Sequence, residues 1–118
     1  MEARSGDNVR IHFTNNLEQP TNIHYHGLHI PITGNADNVF LKIEPEEKLT
    51  YEFQIPDNHP SGTFWDHPHL HGLVAEQLFG GLAGLFIVRG DVDTKTTSRC
   101  FSQRRQRIGT VSLTQFTL

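Results

Sequence analysis

The sequence predicts an all-β domain, a sandwich or barrel of short strands, and three observations carry that expectation. Apolar and polar residues alternate with period two over several short stretches. Turn-forming residues separate those stretches. A near-continuous apolar run, Leu82–Val88, reads as a buried strand.

In chain order, the first strand is predicted over Asn8–Asn15, where Val9, Ile11 and Phe13 alternate with Arg10, His12 and Thr14. Ile23 and Tyr25 then alternate with His24 and His26. The clearest alternation sets Leu49, Tyr51, Phe53 and Ile55 against Thr50, Glu52 and Gln54. Gly34-Asn35-Ala36-Asp37-Asn38 is turn-rich, and Pro56-Asp57-Asn58-His59-Pro60-Ser61-Gly62 must cross the surface. Val74–Phe79 can form one or two helical turns, stopped by Gly80-Gly81. Past Gly90-Asp91 the period fails. The organised domain is therefore placed at residues 1–93 and a basic tail at 94–118, in which Val111, Leu113 and Phe116 can support one last strand.

The chain has 118 residues, enough for one domain with a modest core. No apolar run is long enough to span a bilayer, so no membrane segment is expected. No signal peptide stands at the N-terminus, and Met1-Glu2-Ala3-Arg4-Ser5-Gly6 reads as a domain already under way. The single cysteine, Cys100, excludes an intrachain disulfide and a thiolate-rich metal site. The net charge of −3 hides an asymmetry, because all 13 acidic residues lie at or before Asp93 while Lys95, Arg99, Arg104, Arg105 and Arg107 follow with none. Such a tail can dock on the acidic body, lie in solvent or meet an anionic surface. It lacks the interleaved aromatics of a nucleic-acid site, and no nucleic-acid partner is expected.

Two histidine pairs carry the chemistry: His24-Tyr25-His26 and His67-Pro68-His69. On a strand each pair presents two imidazoles on one face, roughly 6.5–7 Å apart at Cα. Neutral imidazole suits copper and zinc, and copper(II) binds most tightly of the common divalent ions. His71 extends the second run and is a candidate auxiliary ligand, whereas His12, His29 and His59 read as outward-facing, strand-end and loop histidines.

With their flanks these motifs resemble the first cupredoxin domain of a multicopper oxidase, the laccase-like superfamily. The resemblance runs from Gly6-Asp7-Asn8-Val9-Arg10-Ile11 through Thr21-Asn22-Ile23-His24-Tyr25-His26-Gly27-Leu28. It continues through Gly62-Thr63-Phe64-Trp65, His67-Pro68-His69 and Gln77–Gly84 to Leu85-Phe86-Ile87-Val88. It implies a cupredoxin-like Greek-key β-sandwich or barrel. It also implies copper in a trinuclear cluster shared between first and last domains, with His24 on the type 2 ion, His26 and His67 on one type 3 ion and His69 on the other. Oxygen and a phenolic or other reducing substrate are the implied partners, and an extracellular or periplasmic location is implied as well. This domain supplies four of eight cluster histidines, so a homo-oligomer that doubles the set is expected.

Two departures from the family matter. The residue before His67, usually aromatic, is Asp66, whose carboxylate can hold an imidazole N–H, move protons toward oxygen or face solvent. The type 1 copper needs a cysteine flanked by histidine, and Ser98-Arg99-Cys100-Phe101-Ser102 has none, so no type 1 site is expected. Zinc hydrolysis would need a general base, for which only Asp66 stands near. The function classes in view are a copper oxidoreductase module, a non-catalytic copper-binding protein and a truncated interaction domain.

Overall fold

The computed structural model of the chain describes residues 1–90 together with the backbone strand at 106–113. Cys100 and the basic residues Lys95, Arg99, Arg104 and Arg105 lie outside the described residues. Among the described residues, seven strands and one short helix follow in order: β1 (Glu2–Arg4), β2 (Asn8–Asn15), β3 (His24–His26), β4 (Lys48–Gln54), β5 (Gly62–His67), α1 (Val74–Phe79), β6 (Gly84–Arg89) and β7 (Gln106–Leu113). They form two sheets, β1-β6-β5-β3 and β4-β2-β7, packed face to face as a cupredoxin-like sandwich.

Alternation in β2 and β4 produces this arrangement directly. Val9, Ile11 and Phe13 point inward from β2, and their antiparallel partners Phe53, Tyr51 and Leu49 do the same from β4. The opposite sheet contributes Ala3, Tyr25, Phe86 and Val88. Tyr25 is central: its ring lies 5.7 Å from Tyr51, 4.9 Å from Phe53 and 6.2 Å from Phe86. Burying one such ring contributes about 1.5–3 kcal/mol, with more from edge-to-face packing. Tyr51 also reaches across the sandwich, where its hydroxyl accepts the Ile23 N–H at 2.8 Å and fixes the approach to β3.

The chain changes sheets at Ser5-Gly6-Asp7. Gly6 has φ +82°, and Asp7 closes the turn by accepting the Arg4 N–H at 3.0 Å.

Three features depart from the sequence reading. The run Leu82–Val88 is not buried on both faces: Phe86 and Val88 are inside, but Leu85 is 60% exposed. β5 stops at His67, because Pro68 has no N–H to give to a ladder, so His69 is carried by a loop and not by a strand. In the tail, β7 begins at Gln106, ahead of the apolar positions that suggested it, and pairs in parallel with β2 from Asn8↔Gln106 to Asn15↔Leu113. The helix forms where expected, and Gly81 with φ +89° turns the chain after it.

Candidate metal centre

The register of β3 against β5 builds the site. His24 pairs with His67, Tyr25 with Asp66 and His26 with Trp65. Opposed residues share a face, so His24, His26, Trp65 and His67 lie on the outer face while Tyr25 and Asp66 lie on the inner one. The three imidazoles offer ligand atoms all within 4.8 Å of one another. Their ring centroids are 5.4 Å (His24–His26), 5.3 Å (His24–His67) and 5.7 Å (His26–His67) apart. His69 joins from the loop, its ring 5.2 Å from His24 and 5.9 Å from His67.

Hydrogen bonds select the tautomers. His67 Nδ1 lies 2.9 Å from the Pro68 carbonyl oxygen. That oxygen can only accept, so Nδ1 carries the proton and Nε2 keeps its lone pair. His67 is buried, and its Nε2 has no hydrogen-bond partner among the described residues. Burial lowers its pKa; the bond to Pro68 opposes that shift, and the neighbouring His24, His26 and His69 add to it. The ring is thus held neutral, the form a metal requires. A buried lone pair with no partner among the described residues is what a metal ion would satisfy, and a set of three imidazoles fits copper or zinc.

His24 is held differently. Its Nδ1 lies 2.8 Å from Asp37 Oδ1, which also accepts the Tyr25 N–H at 2.8 Å. Asp37 is 6% exposed. It therefore orients the ring and fixes the proton on Nδ1, leaving the Nε2 lone pair for a ligand. The sequence reading passed over Asp37 as part of a turn. The available signal was an acidic residue in an otherwise uncharged loop 11 positions after His26.

Asp66 takes none of these bonds. Its side chain sits on the inner face against Gly84, where a Cβ would meet both carboxylate oxygens at 2.9 Å. Burial raises its pKa, partly offset by the positive N-terminus, and its Oδ2 has no hydrogen-bond partner among the described residues. Of the roles open to Asp66, holding an imidazole N–H falls instead to Asp37 at His24, because alternation turns Asp66 away from the histidine face.

Trp65 packs alongside the site, its ring 4.2 Å from that of His67 and 5.0 Å from that of His26, both nearly parallel. His71 is exposed, and among the described residues no ring contact joins it to the cluster. His12 is exposed and bonded to Thr50. His59 is in its loop but buried at 5% exposure, with Nδ1 on the Pro60 carbonyl and Nε2 accepting the His29 N–H at 3.0 Å. Both its nitrogens are engaged in holding backbone.

A family profile described as multicopper oxidase matches residues 1–93. The chain belongs to the multicopper oxidase family. It is 36% identical over 90 residues to the multicopper oxidase mco of Staphylococcus epidermidis, covering 75% of this chain and 19% of that protein. With Laccase-1 of Cryptococcus neoformans var. grubii it shares 37% over 86 residues, 70% of this chain and 14% of the laccase. Among solved structures, a multicopper oxidase from Campylobacter jejuni described as a metallo-oxidase superposes with TM-score 0.69 at 36% identity, covering 76% of this chain and 19% of that one. The McoA multicopper oxidase of Aquifex aeolicus superposes with TM-score 0.68 at 30% identity, over 80% of this chain and 20% of that one. The chain thus spans about one fifth or less of the length of the relatives it matches. Membership of the multicopper oxidase family implies copper as the metal.

Proposed function

We propose that this chain forms half of a histidine-bound copper centre that reduces oxygen in a laccase-like oxidase. In this reading His24 holds the type 2 ion, His26 and His67 hold one type 3 ion, and His69 holds the other. The carrying observation is the trio His24, His26 and His67, with ligand atoms within 4.8 Å and a buried Nε2 on His67 that has no partner among the described residues. Copper bound there supplies one-electron redox chemistry toward oxygen. The protein's part is to orient the imidazoles, through Asp37 and the Pro68 carbonyl, and to screen one side with Trp65. A phenolic or other reducing substrate would supply the electrons.

The remaining imidazoles come, in this proposal, from a second copy. A two-fold axis would let each chain give the same four histidines. The row His26–Trp65–Leu85 runs across β3, β5 and β6 on the same outer face, and Leu85 is 60% exposed there, which supports a partner over this surface.

Replacing His67 and His69 together by Ala is expected to abolish tight copper binding while circular dichroism stays that of the folded sandwich. Unchanged copper stoichiometry would refute the ligand assignment. Sedimentation of chelator-stripped and copper-loaded protein tests the shared site, and a monomer in both forms rules it out. Oxygen uptake with a phenolic donor, measured on the copper-loaded assembly, tests the oxidase reading itself.

A further inference from the structure

Asn22 is fully buried two residues before His24, and its side chain joins three separate segments. Its Nδ2 donates to the Val39 carbonyl at 2.8 Å and to the Leu41 carbonyl at 3.0 Å. Its Oδ1 accepts the backbone N–H of His69 at 2.7 Å. The partners fix the amide's orientation, since carbonyls can only be met by the NH2 group and an N–H only by the oxygen.

The consequence falls on His69. Pro68 has ended β5, so the backbone at His69 has left the ladder that holds His24, His26 and His67. What ties it back is a hydrogen bond to the segment that carries His24. A second tie lies further along, where Gln77 accepts the Thr21 hydroxyl at 2.8 Å and donates to the Pro20 carbonyl at 2.9 Å. Residues 20–22 thus grip the 69–77 segment at both ends, but only the Asn22 grip acts on a residue bearing a cluster imidazole. Metal–ligand distances tolerate only about 0.2 Å, so a loop histidine needs such a fixed point to match histidines on strands.

We propose that Asn22 is a positioning residue for copper, acting through the His69 backbone to bring the His69 imidazole into the site. This rests on the copper reading above.

The test is a double-mutant cycle on the full chain, with copper(II) titrated against a competing chelator. Asn22→Ala and His69→Ala are each expected to weaken copper binding about 10–100-fold, the usual effect of losing a support or a ligand. The double variant should bind within about twofold of His69→Ala alone, because Asn22 has nothing left to position. Gln77→Ala, which removes only the far grip, should lower the melting temperature and leave copper affinity unchanged. Asn22→Leu, of similar volume but without the acceptor, carries the same expectation if Asn22→Ala does not fold. Wild-type affinity in the Asn22 variants overturns the proposal, as does a double variant weakened by the product of the two single effects. Wild-type protein that binds no copper overturns the copper reading instead, and this inference with it.

Discussion

One carboxylate oxygen of Asp37 serves two purposes: it takes the Nδ1–H of His24 and the N–H of Tyr25, so side chain and strand are positioned from one point. Asp37→Ala is therefore expected to lower copper affinity about 10–100-fold, measured by chelator competition, with a smaller loss when Asn retains the acceptor. Asp66 makes the opposite case, a carboxylate on the inner face with one oxygen lacking a partner among the described residues. Burial raises its pKa, so the folded protein holds that proton more tightly than the unfolded chain does. The sign follows: the group costs nothing below its ordinary carboxylate range, and the cost grows as pH rises through the raised pKa and is complete above it. Asp66→Asn should accordingly stabilise the protein at neutral pH by on the order of 1 kcal/mol and flatten that part of the stability–pH curve. Denaturant melts at pH 4 and pH 7.5 check it; equal stability of wild type and variant at both would contradict the account.

Gly27 ends β3 with φ +88°, directly after His26, and a Cβ there would stand 3.0 Å from the Phe64 ring. Gly27→Ala should cost about 1–2 kcal/mol from the left-handed backbone alone and should also weaken copper binding, read by thermal melts and by titration. At this scale β2 and β4 were legible from alternation, because one face of each is core and the other is solvent. The helix and its glycine stop were legible for local reasons as well. β1, three residues long, was not, since its pairing with β6 is set by a partner more than eighty positions away. The exposure of Leu85 was also hidden, because in the sequence an exposed apolar residue reads like one facing a core. Of the site, the histidines could be read from their spacing and flanks. Asp37 and Asn22 could not, because each acts through a fold-dependent contact, Asp37 with His24 and Asn22 with His69. The facing of Asp66 follows from the register Tyr25↔Asp66, which sequence leaves open.

For the whole molecule, copper binding and folding are linked. An ion that binds only the folded chain stabilises it by about 2.7 kcal/mol at a hundredfold excess over Kd, so the melting temperature should rise with copper and return when a chelator is added. Without metal, His67 resists protonation in the fold more than in the unfolded chain, so that residue's contribution weakens as pH falls through the ordinary histidine range. The pairing of β1 with β6 has one more effect, on synthesis. Glu2 pairs with Ile87 and Arg4 with Arg89, both in parallel register. A ribosome adding about 5–20 residues per second takes on the order of 4–17 s to deliver the partner of the first strand. During that interval the edge of β1 is open to whatever strand is nearest, and β2 must wait similarly for β4, its antiparallel partner. Pairings this distant slow folding. The nascent chain thus depends on the late arrival of Gly84–Arg89, and a ribosome stalled shortly before that stretch would expose an unpaired strand to aggregation.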